Sequence, residues 1–181
     1  PVAFVAKQEV SHYPIVGVIA KLMRTVFVDR KRRHQTPDVN AEIANRMNEG
    51  HPVVLFAEGT SSDGNRVLPF KSALLSAAEL SVGEDAEHHQ RHALVQPVSV
   101  AYTQLHGIPI GRENRPFFAW YGDMELVPHL WEALKAGPLD VVMEFHPPLS
   151  LDAMDRKQLA KAAELTIRAG HIKALAGASE A

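Results

Sequence analysis

Apolar blocks separated by helix-length polar-patterned stretches run along the whole chain, and their alternation predicts the fold. "VAFVA" at 2–6 reads as a short buried strand and "SHYPIVGVIAKLMR" at 11–24 as a helix, with Ser11 at its N-cap and Pro14 in its first turn. "TVFVD" at 25–29 is a β-branched strand. "DVNAEIANRMNEG" at 38–50 is a helix capped by Asp38, stopped by Gly50 and carrying Ile43 and Met47 on its apolar stripe. "PVVLFAE" at 52–58 is a strand, apolar on both faces like one covered on both sides. A helix follows at 70–80, then a polar loop at 83–92, "GEDAEHHQRH". "ALVQPVSVAY" at 93–102 is a strand interrupted by Pro97. A Gly/Pro-rich loop at 105–116, a helix near 128–136, a last strand at 139–149 and a helix from 151 towards 177 complete the series. Strand and helix alternating at this spacing predict an α/β fold: a single domain over 1–181 with a largely parallel mixed sheet flanked by helices.

Composition narrows the function. At 181 residues the chain buries enough surface to fold without staples. A net charge of −2 supplies no global field towards nucleic acid, so no nucleic-acid partner is expected and any charge preference is local. With no cysteine, disulfides, thiolate metal sites and a cysteine nucleophile are excluded. The apolar run "YPIVGVIA" ends at Lys21, well short of the ~20 residues that a spanning helix needs.

Chemistry concentrates in "FAEGTSSDGNR" at 56–66, at the C-terminal end of the third strand, where α/β proteins bind ligands. Gly59 lets backbone N–H groups converge as in an anion nest. Thr60, Ser61 and Ser62 offer hydroxyls, and Lys71 stands at the start of the next helix. The same residues also suit a polar loop with a helix cap and an Asp-Gly turn, and the pattern alone leaves both readings open. The stretch is neither a Walker loop nor a nucleophile elbow. A second cluster, "RTVFVDRKRRH" at 24–34, ends a strand at Asp29-Arg30; Arg32 and Arg33 read as a solvated basic turn, whereas Arg30 at the strand end suits an anionic oxygen pair. His88, His89 and His92 lie in a segment that is polar all round and read as a solvated loop, so no metal site is expected.

These stretches resemble the glycerolipid acyltransferases, the family that includes 1-acylglycerol-3-phosphate acyltransferase. "RTVFVDR", "LFAEGTSS" with "LPFKSALL", and "LVQPVSVAY" resemble the second, third and fourth of its four motif blocks, in order. The resemblance covers nearly the whole chain. Ala57 and Ser61 are most similar to bacterial members acting on lysophosphatidic acid or lyso-ornithine lipid. It implies an O-acyltransferase of membrane phospholipid synthesis that moves a fatty acyl group from acyl-carrier protein or acyl-CoA to the hydroxyl of a lysophospholipid, with no other cofactor. It implies that Arg30, Glu58, Gly59 and Thr60 hold the acceptor's head, that Lys71 adds charge there, and that Pro97 shapes the wall near the acyl donor. Ser61 stands where many members carry arginine, which removes a bidentate phosphate partner.

The family's first block, a histidine followed at the fifth position by aspartate, supplies the general base. None of the ten histidines here has that partner. The expectation is an N-terminally incomplete acyltransferase domain whose base lies upstream of Pro1, and which shows little or no turnover alone. Since acceptor and product are lipids, the expected place is the cytoplasmic face of a membrane, held peripherally or by a missing N-terminal segment, with Lys21, Arg24 and Arg30–Arg33 meeting anionic head groups. A non-catalytic lipid- or anion-binding module of the same fold, or an unrelated phosphate-ligand domain, are the alternatives.

Overall fold

The computed structural model describes residues 2–13, 16–28, 36–79, 81–84 and 90–177. Arg30, with Asp29 and the basic run 31–33, lies outside the described residues, as do His88 and His89. Backbone contacts gather the chain into two compact units: Pro1–Ala57 with Ser72–Val95 and Ser150–Arg156, and Glu58–Lys71 with Gln96–Leu149 and Lys157–Ala181.

In the first unit β1 (Ala3–Lys7) is followed by a 3₁₀-helix (Gln8–His12), α1 (Val16–Leu22), β2 (Val26–Val28), α2 (Thr36–Asn48) and β3 (Val53–Val54). β1 is the middle strand of a parallel sheet of order β2-β1-β3, pairing Val5 with Val26 on one side and Ala3 with Val53 on the other. Parallel neighbours need a crossover, and α1 and α2 provide them. The core of this unit is Val26, Ile43 and Ala77, ringed by Val5, Val39, Met47 and Val53, so the Ile43/Met47 stripe faces inward as its spacing predicts. Gly50 ends α2 at φ +80, with its N–H on Met47 O (2.9 Å) and the His51 N–H on Arg46 O (3.0 Å), the Schellman arrangement expected of a glycine stop.

Four sequence expectations in this unit are corrected. Ser11 does not cap the first helix: its hydroxyl donates to Gln8 O at 2.6 Å inside the 3₁₀-helix, and α1 starts later, at Val16. Asp38 is not an N-cap, because α2 begins at Thr36. The third strand is paired only at Val53 and Val54, and Phe56 is exposed (65%) instead of buried; past Phe4 no residue of β1 is in register with the segment after Val54. The helix expected at 70–80 is a 3₁₀-helix over Ser72–Glu79, with the Ser76 hydroxyl donating to Ala73 O at 2.8 Å and so engaging a backbone carbonyl. The polar stretch at 83–92 is flanked by paired strands, β4 (Ser81–Glu84) and β5 (Gln90–His92), antiparallel to each other, which places His92 in a strand.

The second unit contains β6 (Val98–Leu105), β7 (Ile108–Pro109), a 3₁₀-helix (Arg115–Phe117), α3 (Leu126–Lys135), β8 (Leu139–Phe145) and α4 (Arg156–Leu175), whose first residue belongs to the first unit. Its sheet is antiparallel, of order β7-β6-β8, with Val98 opposite Phe145 and Leu105 opposite Leu139. β6 starts after Pro97 instead of running through it, because proline cannot donate to a ladder; its carbonyl instead accepts the His146 N–H at 3.0 Å. β8 stops at Phe145, before Pro147 and Pro148. The parallel and antiparallel parts of the expected mixed α/β arrangement therefore fall in different sheets.

Candidate functional site

Glu58, Gly59, Thr60, Ser61 and Lys71 share one continuous loop, 58–71, within the second unit. Gly59 is buried at φ +67, in the left-handed region that favours glycine, and lets the chain turn directly behind the Glu58 side chain. Thr60, Ser61 and Lys71 are exposed. Pro97 is buried at the start of β6. The helix after Lys71 is of the 3₁₀ type, which weakens the helix-dipole part of the expectation for that lysine.

Glu58 is half-buried, and the partial loss of water pushes its carboxyl above the usual carboxylate range. Two features oppose that shift: the Leu68 backbone N–H donates to the carboxylate, and the Arg168 guanidinium lies within electrostatic reach. The loop is thus folded back on itself, 68 onto 58, and presents a carboxylate that is partly dry but not isolated. Such a group accepts hydrogen bonds from a ligand more strongly than a fully hydrated one, because less water competes.

The loop is pinned from α4 by a residue that sequence reasoning missed. Glu164 is 6% exposed, yet charged. Its carboxylate accepts the Phe70 backbone N–H at 3.1 Å, Lys161 Nζ at 3.1 Å and Arg168 Nη2 at 3.0 Å. The Phe70 N–H, first, and the two cations hold its carboxyl below the usual range despite burial. Arg168 therefore serves both carboxylates, by a hydrogen bond to Glu164 and through space to Glu58. A signal existed: the buried stripe of α4 runs through Leu159, Ala160, Ala163, Glu164, Gly170 and His171 at helical spacing, and Glu164 is the one carboxylate in it.

A second polar cluster has the residue types of a hydrolytic triad. Ser99 Oγ is 3.0 Å from His146 Nε2, and His146 Nδ1 is 3.7 Å from Glu144 Oε1. The latter distance is too long for a hydrogen bond. Ser99 is 3% exposed, and a Cβ built on Gly170 would sit 2.6 Å from its oxygen, so α4 closes over the hydroxyl and leaves no room for a reacting carbonyl. The cluster is packing between β6, β8 and α4, reinforced by His171 Nδ1 at 3.0 Å from Val100 O.

Comparison with known proteins agrees with this geometry. The chain is 49% identical over 177 residues to the lyso-ornithine lipid O-acyltransferase of Brucella abortus (strain 2308), covering 97% of this chain and 65% of that protein. It is 41% identical over 161 residues to the protein of the same name from Rhizobium meliloti (strain 1021), covering 88% of this chain and 54% of that one. It therefore spans roughly half to two-thirds of the length of these relatives. Its fold matches the crystal structure of the 1-acyl-sn-glycerophosphate (LPA) acyltransferase PlsC from Thermotoga maritima, with a TM-score of 0.60 at 23% identity over 99% of this chain and 58% of that one. A family model described as Acyltransferase matches residues 1–101, which include the second and third motif blocks and Glu58. More than half of the chain is thereby accounted for, and the chain belongs to the Acyltransferase family.

Proposed function

We propose that this chain forms the acceptor-binding part of an O-acyltransferase that moves a fatty acyl group from acyl-carrier protein or acyl-CoA to the hydroxyl of a lysophospholipid, with lyso-ornithine lipid as the preferred acceptor. The observation that carries the reading is the half-buried Glu58 carboxylate in a loop whose backbone is fixed at both ends, by Leu68 onto Glu58 and by Phe70 onto Glu164. Both relatives described above carry the lyso-ornithine name, which favours that head group over a phosphate. In the reaction, the acceptor hydroxyl oxygen attacks the thioester carbon and its proton passes to a base. The C–S bond then breaks and the thiol leaves with a proton, so no external redox partner is needed. Glu58, Gly59, Thr60 and Ser61 hold the polar head, Lys71 and Arg30 add positive charge, and Pro97 shapes the wall near the donor.

Titration of the chain with lyso-ornithine lipid, kept below its micelle concentration, tests this. Glu58→Ala should weaken binding by about 10-fold or more, the loss of a charge-assisted hydrogen bond of roughly 1.5–3 kcal/mol. The exposed control Glu132→Ala should change it less than twofold. Equal, small effects would remove Glu58 from the head-group site.

The same reading places the chain against a lipid surface. Among the described residues no helix is long and apolar enough to cross a membrane. Yet α3 exposes Val127 (56%), Leu130 (45%), Trp131 (63%) and Leu134 (67%), which fall on one face at helical spacing with a tryptophan of the kind enriched at bilayer interfaces. Arg24, expected to meet head groups, instead pairs with Glu49 at 3.2 Å. Trp131 fluorescence should shift to the blue with vesicles of zwitterionic lipid, and Trp131→Ser should reduce co-flotation with them; co-flotation unchanged in that variant would exclude α3 as the contact.

A further inference from the structure

The turn that follows the Glu58 segment gathers more positive charge than the fold needs. Asp63 Oδ1 accepts the Asn65 N–H at 3.1 Å and Asp63 Oδ2 accepts Asn65 Nδ2 at 3.2 Å, so one asparagine occupies both carboxylate oxygens. Asn65 Oδ1 in turn accepts Arg115 Nη1 at 3.1 Å. Gly64, at φ +76, lies close enough that an added Cβ would stand 3.6 Å from Ala119 Cβ and 3.9 Å from Arg115 Cβ, which seats the turn on the 115–119 segment. Two further guanidiniums, Arg66 and Arg112, act on Asp63 through space; with the Asn65 hydrogen bonds, the larger cause, they hold its carboxyl below the usual range. Among the described residues neither makes a hydrogen bond or an ion pair in the structure, and both are exposed. Three arginines thus face two carboxylates, Asp63 and Glu113, and Asp63 is already engaged by Asn65. The surplus charge is free to meet a ligand.

We infer that Arg66 and Arg112 form an anion-reading site for a group with two oxygens on one centre, a carboxylate or a phosphate, while Arg115 positions the turn through Asn65. A guanidinium fork matches such an oxygen pair, and two forks beside one turn select it over a neutral or purely cationic head. The inference rests on the proposed function in one respect: the anion is taken to be carried by the acceptor lipid. Arg66 and Arg112 lie on exposed surface, so their removal tests binding without touching the core.

The experiment uses the whole chain at low ionic strength, titrated separately with lyso-ornithine lipid, lysophosphatidic acid and inorganic phosphate. The variants are Arg66→Gln/Arg112→Gln and, as a control removing the same charge elsewhere, Lys135→Gln/Lys157→Gln. The arginine double variant is expected to weaken lysolipid binding at least 10-fold and to flatten its salt dependence, with the control within about twofold, because exposed charges act over no more than a Debye length of about 10 Å. A larger loss for lyso-ornithine lipid than for lysophosphatidic acid identifies a carboxylate reader, and the reverse a phosphate reader. Wild-type binding of lysolipid that survives the double substitution within twofold overturns the inference and leaves the proposed function standing. Wild-type binding of inorganic phosphate alone, lost in the double variant, keeps the arginine site and overturns its lipid source. Binding of none of the three ligands by wild type overturns both.

Discussion

Replacing Glu164 with alanine is expected to lower stability by about 2–4 kcal/mol, which moves the thermal midpoint of a chain this size by roughly 5–15 °C. The reasoning is a comparison of what each partner loses. The Phe70 N–H, held by Glu164 at 3.1 Å, loses an ionised acceptor, and that is the large part. Lys161 and Arg168 keep 62% and 38% of their side-chain surface in water, so they return to solvent and contribute no more than ordinary surface pairs, about 0–1 kcal/mol each. No buried cation is stranded, which is why the cost falls below that of breaking a fully buried ion pair, about 3–5 kcal/mol. Glu164→Gln retains an acceptor for Phe70 and should recover much of the loss. The pH dependence has a definite sign. Because the folded state lowers the Glu164 pKa, its contribution is present above the usual carboxylate range and is lost as pH falls through the folded value. Glu58 works the other way: its folded pKa is raised, so stability declines as pH climbs from the usual carboxylate range through the folded value. A Glu164→Ala midpoint within 1–2 °C of wild type, a difference of less than about 1 kcal/mol, would show that the loop is held by something else.

Gly170→Ala is the second large effect, and here two opposing effects decide the sign. In an open helix, glycine to alanine gains about 1 kcal/mol. At this position the new Cβ would lie 2.6 Å from both His146 Cε1 and Ser99 Oγ and 2.7 Å from His146 Nε2. Neither neighbour is a flexible tip. Ser99 and the His146 ring are bonded to each other at 3.0 Å, and the His146 backbone is fixed by its N–H on Pro97 O and its carbonyl under Gln96 Nε2. Overpacking against fixed groups costs about 1–3 kcal/mol and here exceeds the helical gain, so denaturant midpoints should fall. A rise would mean that α4 moves away from β6 without cost.

Some of this was legible in the residues alone. The inward stripe of α2 and its stop at Gly50 follow from spacing and from glycine's tolerance of positive φ, and both are local properties. The Glu58 loop stood out because its residue types exceed what a turn requires. What escaped was set by tertiary partners. Glu164 looks like one member of an ordinary Lys161–Glu164–Arg168 surface series until Phe70 is seen donating to it across 94 positions of sequence. The strands β4 and β5 are polar, so their pairing has no hydrophobic signature. The short pairing of β3 depends on β1, whose residues from Val5 to Lys7 register with β2 on the other side. Arg66 and Arg112 are far apart in sequence and are brought to the same carboxylate only by the fold.

Amide-shift mapping during the lyso-ornithine lipid titration bears most directly on where the acceptor head sits. The largest perturbations should fall on Gly59, Thr60, Ser61 and the turn around Asp63, and they should vanish in Glu58→Ala. Saturable lysolipid binding whose perturbations miss the 58–71 loop altogether, and which Glu58→Ala leaves intact, would contradict it.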